Sequence, residues 1–292
     1  MKAELAYRFA AKIGESPRWD SHRERLMWVD IDGQLLCFFN PKTGSNKEFH
    51  LRSTVGVAVF AEDGRIALAL KDRFALFDEK TETLETIAIV ETRESYRFND
   101  GGVDPAGRFF AGTMQVPAIP GSAHLYSLDD TGLVVKRLSN VGLTNGMAWS
   151  LDAKKFYFTD TTLGNIRAFD YNVEDGSISN PIVIFELPMT MGLTDGLVID
   201  AEGCLWLAVW GGSQVLRLTT KGRILAKIEL PVTQVSSMGF GGSNLNQLFI
   251  TSATLQVDQS GSPDQPLAGS LFVADVGVQG IEQTFFKVPQ GR

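Results

Sequence analysis

Cysteine is scarce in this chain: Cys37 and Cys204 are the only two in 292 residues. Two thiols so far apart cannot build a disulfide framework. Each lies in an apolar run, LLCFF or GCLWL, where a buried, inert thiol is expected. Histidine is nearly as rare. His22, His50 and His124 fall in turns or outer strands, out of register with the strand openings that recur along the chain, which argues against a histidine-held zinc site and a Ser-His-Asp triad. Positive charge is in deficit: 27 Lys and Arg stand against 34 Asp and Glu, a net −7. That balance excludes nucleic acid and anionic membrane as partners and favours cations over anions. No apolar run approaches the roughly 18 residues of a membrane span, and MKAELAYRFAAKIGESP has no apolar leader core, so a cytoplasmic protein is expected. There is no phosphate-binding loop, and Gly211-Gly212 and Gly241-Gly242 lack the dinucleotide fingerprint. No apolar stripe of helical period runs beyond two turns. Oligomeric state leaves no trace in the sequence.

What the chain has instead is a repeat. Its openings are Glu15 in ESPRWD, Gly56 in GVAVFAEDG, Asn99 in NDGGVDPAG, Asn145 in NGMAWSLDA, Asp195 in DGLVIDAEG and Met238 in MGFGGSNL. Successive openings lie 41 to 50 residues apart, the period of a four-stranded propeller blade. Each is followed by further short runs rich in Val, Ile, Leu, Phe and Thr, with turn sequences such as PKTG, DDTG and TKG between them. Alternation is weak because both faces are apolar: Leu205, Leu207 and Val209 on one side, Trp206, Ala208 and Trp210 on the other. Blades packed face to face bury both sides of each sheet, and this pattern fits them. The expected fold is all-β: a single domain over 1–292, a six-bladed β-propeller with four antiparallel strands per blade. Residues 4–10 are expected to complete the last blade and close the ring, and QTFFKV reads as the polar fourth run of the last unit.

In a propeller, residues opening the innermost strands ring the central channel at one mouth. Four of the six openings here, Glu15, Asn99, Asn145 and Asp195, carry carboxylate or carboxamide oxygens. The ends of the second strands add Asp30, Lys71, Gln115, Asp160, Trp210 and Ser252 to the candidate wall, with looser placement. Asn145-Gly146 and Asp195-Gly196 are also hairpin-turn dipeptides, so a purely structural reading stands beside the functional one. Converging oxygens near an axis are costly unless something satisfies them. An all-oxygen set suits a hard divalent cation, Ca²⁺, Mg²⁺ or Mn²⁺, before thiolate-seeking metals. Arg97, two residues before Asn99, faces the same channel if the segment is extended, and a guanidinium beside an amide grips hydroxyls or a carboxylate. A surface arginine paired with a neighbouring acid is the plainer alternative.

The stretches GESPRWD, RFNDGGVDPAGRFFAGTM, NGMAWSLD and TDGLVIDAEGCLWLAVWGG resemble the regucalcin (senescence marker protein)/gluconolactonase family over nearly the whole length. The resemblance implies a propeller that binds one divalent metal, with Ca²⁺ favoured and Zn²⁺, Mn²⁺ or Mg²⁺ as alternatives, and that hydrolyses a small sugar lactone such as gluconolactone. Carried over by residue, it implies Glu15, Asn145 and Asp195 as metal ligands and Asp195 as general base. Arg97 and Asn99 are implied as substrate-binding residues, with Asn99 also close to the metal. It keeps a second class in view, a non-catalytic calcium-binding or metabolite-sensing protein. Animal members carry a sugar-contacting glutamate shortly after GTM, where this chain reads Gln115-Val116-Pro117. Thr194 and Leu151 stand where proline is usual.

Overall fold

The computed structural model describes residues 1–91, 93–257 and 264–290. Six sheets, each of four antiparallel strands, follow one another around an axis. Their innermost strands are Gly14–Asp20, Val55–Phe60, Tyr96–Val103, Thr144–Trp149, Leu193–Ile199 and Val235–Gly241, which define blades 1 to 6. The six-bladed, four-stranded expectation is what the chain adopts.

The two-faced apolar strands do what their composition requires. In Leu205–Trp210, the side chains of Leu205, Leu207 and Val209 pack with Ile166 and Ala168 of blade 4. The alternate residues, Trp206 and Ala208, pack with Val235, Met238 and Ile250 of blade 6. Clusters of the same kind fill every other blade-to-blade interface. Each fully buried aliphatic or aromatic side chain contributes about 1.5–3 kcal/mol, so the interfaces hold the ring together.

Residues Glu4–Tyr7 pair antiparallel with Leu271–Asp275 and form the outer strand of blade 6, as expected of the N-terminal segment. The first and last blades then join through Trp19, whose ring stacks on Phe249 at 5.5 Å and 9°. The QTFFKV segment departs from expectation: it is not a strand of blade 6. Blade 6 has its outer edge filled by Glu4–Tyr7, so the tail has no edge to pair with. It crosses the rear of the ring instead. Gly280 N–H donates to Leu245 O at 2.7 Å, Phe286 N–H to Phe60 O at 2.9 Å and Lys287 N–H to Gly107 O at 3.0 Å. Phe286 is completely buried between blades 2 and 3. Among the described residues no helix is long and apolar enough to cross a membrane.

Candidate functional site

Every innermost strand pairs with its neighbour with one break in register near the same end. The breaks lie between Glu15 and Arg18, Val55 and Val57, Phe98 and Gly101, Thr144 and Met147, Thr194 and Leu197, and Val235 and Ser237. An extra residue in one strand bends it and re-aims a side chain. Asn99, Asn145 and Asp195 are the first residues inside their breaks, and Glu15 is the last paired residue before its own. Asn145-Gly146 and Asp195-Gly196 are therefore bulges within strands, and the hairpin alternative does not hold for either.

The glycines in these dipeptides serve close approach between blades. A Cβ on Gly146 would lie 2.1 Å from the backbone nitrogen of Leu197, and one on Gly196 would lie 2.8 Å from Cα of Ser237. Hydrogen bonds then run from blade to blade around the mouth. Asn99 Nδ2 donates to Thr144 O at 2.8 Å, and Thr161 Oγ1 to Thr194 O at 2.8 Å. Ser236 Oγ donates to Gly14 O at 2.6 Å.

Arg97 and Asn99 come together as the spacing suggested. Arg97 Nη1 donates to Asn99 Oδ1 at 2.6 Å and to Phe98 O at 3.0 Å. Arg97 is only 9% exposed, so the surface-arginine alternative falls, and among the described residues the one carboxylate within 4.0 Å of it is Asp32, at 4.0 Å. Burial lowers its pKa against the pull of Asp32, Glu15 and Asp195.

Glu15 and Asp195 are both buried. Burial pushes the Glu15 carboxyl well above the ordinary range, and the charge of Asp100 adds to it. Asp195 is raised in the same way, by burial first and then by Glu15 and Asp100. By contrast, Asp200 in the neighbouring DAEG turn accepts from Glu202 N, Cys204 N, Trp206 Nε1 and Arg217 Nε at 2.8–3.0 Å. That is what a structural carboxylate looks like in this fold, and Asp195 has no such set of donors.

Asn145 completes the group. Its Nδ2 donates to Thr161 Oγ1 at 2.9 Å, and since that hydroxyl gives its own hydrogen to Thr194 O, it can only accept from Asn145. The amide orientation follows from this network. Asn145 Oδ1 is then left buried and without a partner. An orphaned amide oxygen and two carboxyls that burial disfavours as bare charges are oxygen groups of the chemistry a hard cation would satisfy, which makes them a candidate donor set. Among the described residues no three His, Cys, Asp or Glu side chains group as a metal site.

Other positions differ from expectation. In blade 6 the register break falls at Ser236, whose buried hydroxyl is taken by Gly14 O; the hydroxyl that interacts with Glu15 is that of Ser237, and Met238 is buried. The openings MG and DG look alike in sequence but sit two residues apart in register. Asp30 and Asp160 do not line the channel as free carboxylates. Asp30 accepts from the N–H groups of Lys12, Ile13 and Gly33, and Asp160 from those of Gly142, Leu143 and Thr162. Asp100 was missed. Strand alternation would turn it away from Asn99, but both lie in the bulge, and Asp100 comes close enough to Glu15 and Asp195 to raise both. Burial pushes Asp100 up to about 6, against the Gly101 N–H and Arg18.

The fold and this mouth define a class: six-bladed propellers with an oxygen-rich candidate cation site on the axis. Residues 13–254 match the family described as SMP-30/Gluconolactonase/LRE-like region, and the chain belongs to that family. Regucalcin of Danio rerio is 37% identical over 285 residues, covering 96% of this chain and 97% of the relative. A Bacillus subtilis protein named "Putative sugar lactone lactonase YvrE" is 35% identical, covering 98% and 99% of the two chains. The solved structure of a calcium-binding protein, regucalcin, from Agrobacterium tumefaciens superposes with a TM-score of 0.92 at 26% identity, over 98% and 97% of the two chains.

Proposed function

We propose that this chain hydrolyses a sugar lactone, an aldonolactone of the gluconolactone type, with a divalent cation held by Glu15, Asn145 and Asp195. The observation that carries the reading is the orphaned Asn145 Oδ1 beside the two desolvated carboxyls. Oxygen donors favour Ca²⁺, with Mg²⁺, Mn²⁺ or Zn²⁺ as alternatives. When bound, such an ion supplies Lewis acidity toward the lactone carbonyl. Asp195 takes the proton of the attacking water as its oxygen bonds to the carbonyl carbon. The ring C–O bond then breaks, its oxygen gains a proton, and the hydroxy acid leaves. General bases contribute about 10²–10⁴-fold. Arg97, locked by Asn99 and Phe98 O, keeps its Nη2 for substrate oxygens, and Asn99 fixes its position by donating to Thr144 O.

The test is hydrolysis of a panel of γ- and δ-aldonolactones by chelated protein reconstituted with each ion in turn. Turnover that needs both the ion and Asp195 supports the proposal, and turnover of no lactone with any ion overturns it. A second reading, cation binding without turnover, draws on the name of the Agrobacterium tumefaciens relative. It expects Ca²⁺ to raise the melting temperature in the absence of any hydrolysis.

A further inference from the structure

The rear of the ring holds a cavity of about 390 Å³ that the proposed reaction does not use. Its volume falls in the range of small-molecule pockets, about 300–1,000 Å³. Arg18, Asp100, Met147, Trp149, Phe240 and Ile281 line it, and Glu15, Asn145 and Asp195 do not. Residues 281–284 of the C-terminal tail form one wall, held on either side by the Gly280 and Phe286 hydrogen bonds to Leu245 O and Phe60 O.

Two polar groups in the wall of this cavity, the half-buried Arg18 guanidinium and the buried Trp149 indole, lack partners that such groups have elsewhere in the ring. Arg18 donates from Nε to Ala58 O at 3.0 Å and from Nη2 to Gly101 O at 2.7 Å, which leaves Nη1 without an acceptor. Among the described residues it has no carboxylate within 4.0 Å. Elsewhere in the ring, Arg25, Arg108 and Arg217 have carboxylates at 2.6, 2.9 and 2.7 Å. Burial lowers the Arg18 pKa, and Asp100 offsets this only from a distance. The second group is the Trp149 indole, whose N–H is buried with no partner. A buried donor without an acceptor is costly, and the half-buried Arg18 guanidinium faces the cavity with no carboxylate to balance its charge. Met147, Trp149, Phe240 and Ile281 supply an apolar surround. The acids in the wall are Asp100 and Glu282, and Glu282 is exposed and accepts from Ser21 Oγ at 3.2 Å.

We propose that the rear cavity binds a small organic carboxylate, its acid group on the Arg18 guanidinium and its apolar body against Met147, Trp149 and Phe240. The proposal stands apart from the lactonase reading, because no residue of the proposed catalytic set lines this cavity. Benzoate and its neutral counterpart benzamide test it, titrated calorimetrically into full-length protein in chelator, so that no cation at the front mouth attracts the acid. Benzoate should saturate one site, with benzamide at least about tenfold weaker, as expected for hydrogen bonds to a charged group. Arg18→Gln should erase that preference and Arg18→Lys should keep most of it. Arg18 also ties blades 1, 2 and 3, so a second variant guards against misfolding. Ile281→Trp at the exposed rim should block both probes while lactone hydrolysis is unchanged. Absence of saturable binding, equal affinity for the two probes, or undiminished binding in Ile281→Trp overturns the proposal.

Discussion

Replacing Asp195 by asparagine keeps the shape of the side chain and removes its charge. The structure sets two expectations of opposite sign. Asp195 is 5% exposed, raised by burial and by the like charges of Glu15 and Asp100, with a hydrogen bond to Asn145 as a partial offset. In chelator its charge works against the fold, so Asp195→Asn should be the more stable protein. Substitutions that relieve strained functional groups gain about 0.5–2 kcal/mol. For a chain of this size that is roughly 1–3 °C in melting temperature. With calcium the order reverses. A cation at a hundred times its dissociation constant stabilises wild type by about 2.7 kcal/mol, and the variant, one ligand short, should show little of that gain. Lactone hydrolysis, followed by acid release at fixed pH, should fall by about 10²–10⁴-fold. Thermal melts in chelator and in calcium, beside the rate, give three readings from two proteins. The reasoning fails if Asp195→Asn melts lower than wild type in chelator, or keeps more than a tenth of the activity.

Asn145→Leu removes the orphaned amide oxygen; the calcium-induced rise in melting temperature should disappear, and a rise equal to that of wild type would count against Asn145 as a ligand. Gly196→Ala puts a Cβ 2.8 Å from Ser237 Cα, and overpacking of this kind costs about 1–3 kcal/mol; a chemical-denaturation midpoint equal to wild type would refute the close-approach role. Asp100, raised to about 6 by burial, holds its proton more tightly when folded than unfolded. Its contribution to stability is therefore present below its unfolded value near 4 and is lost as pH rises through about 6. Asp100→Asn in chelator should gain on wild type by on the order of 1–3 kcal/mol between pH 4.5 and 7.5, and a difference in melting temperature that stays flat across this window would rule the effect out.

The ring was legible because each unit repeats its apolar runs at near-constant spacing, and because Leu205 to Trp210 is apolar on both faces. The closing strand at Glu4–Tyr7 was legible too, since an incomplete last blade needs one. Which residues stand at the mouth followed from the shared opening. What they do there did not, because NG and DG are written the same way in a hairpin and in a bulge. Met238 misled because MG copies the spacing of DG while the register break falls at Ser236. Asp100 was hidden by alternation, which a bulge suspends. Asp30 and Asp160 carry the right chemistry at the right end, and only the backbone N–H groups around them reveal that they are already occupied. The tail from Gly280 to Phe286 has a strand-like composition, but its partner edge had been taken by the other end of the chain.

The proposed ligands come from blades 1, 4 and 5, two of them neighbours and the third two blades further round the ring, and each sits at a break in its own strand pairing. In mechanical terms a cation there is a hub and the three side chains are its spokes. Such a hub resists the separation of neighbouring blades more than the fraying of any one sheet. Loading it should slow amide hydrogen exchange most at the seams between blades, with the outer strands nearly indifferent. A propeller built this way carries its tightening screw on the axis, where a substrate must also arrive.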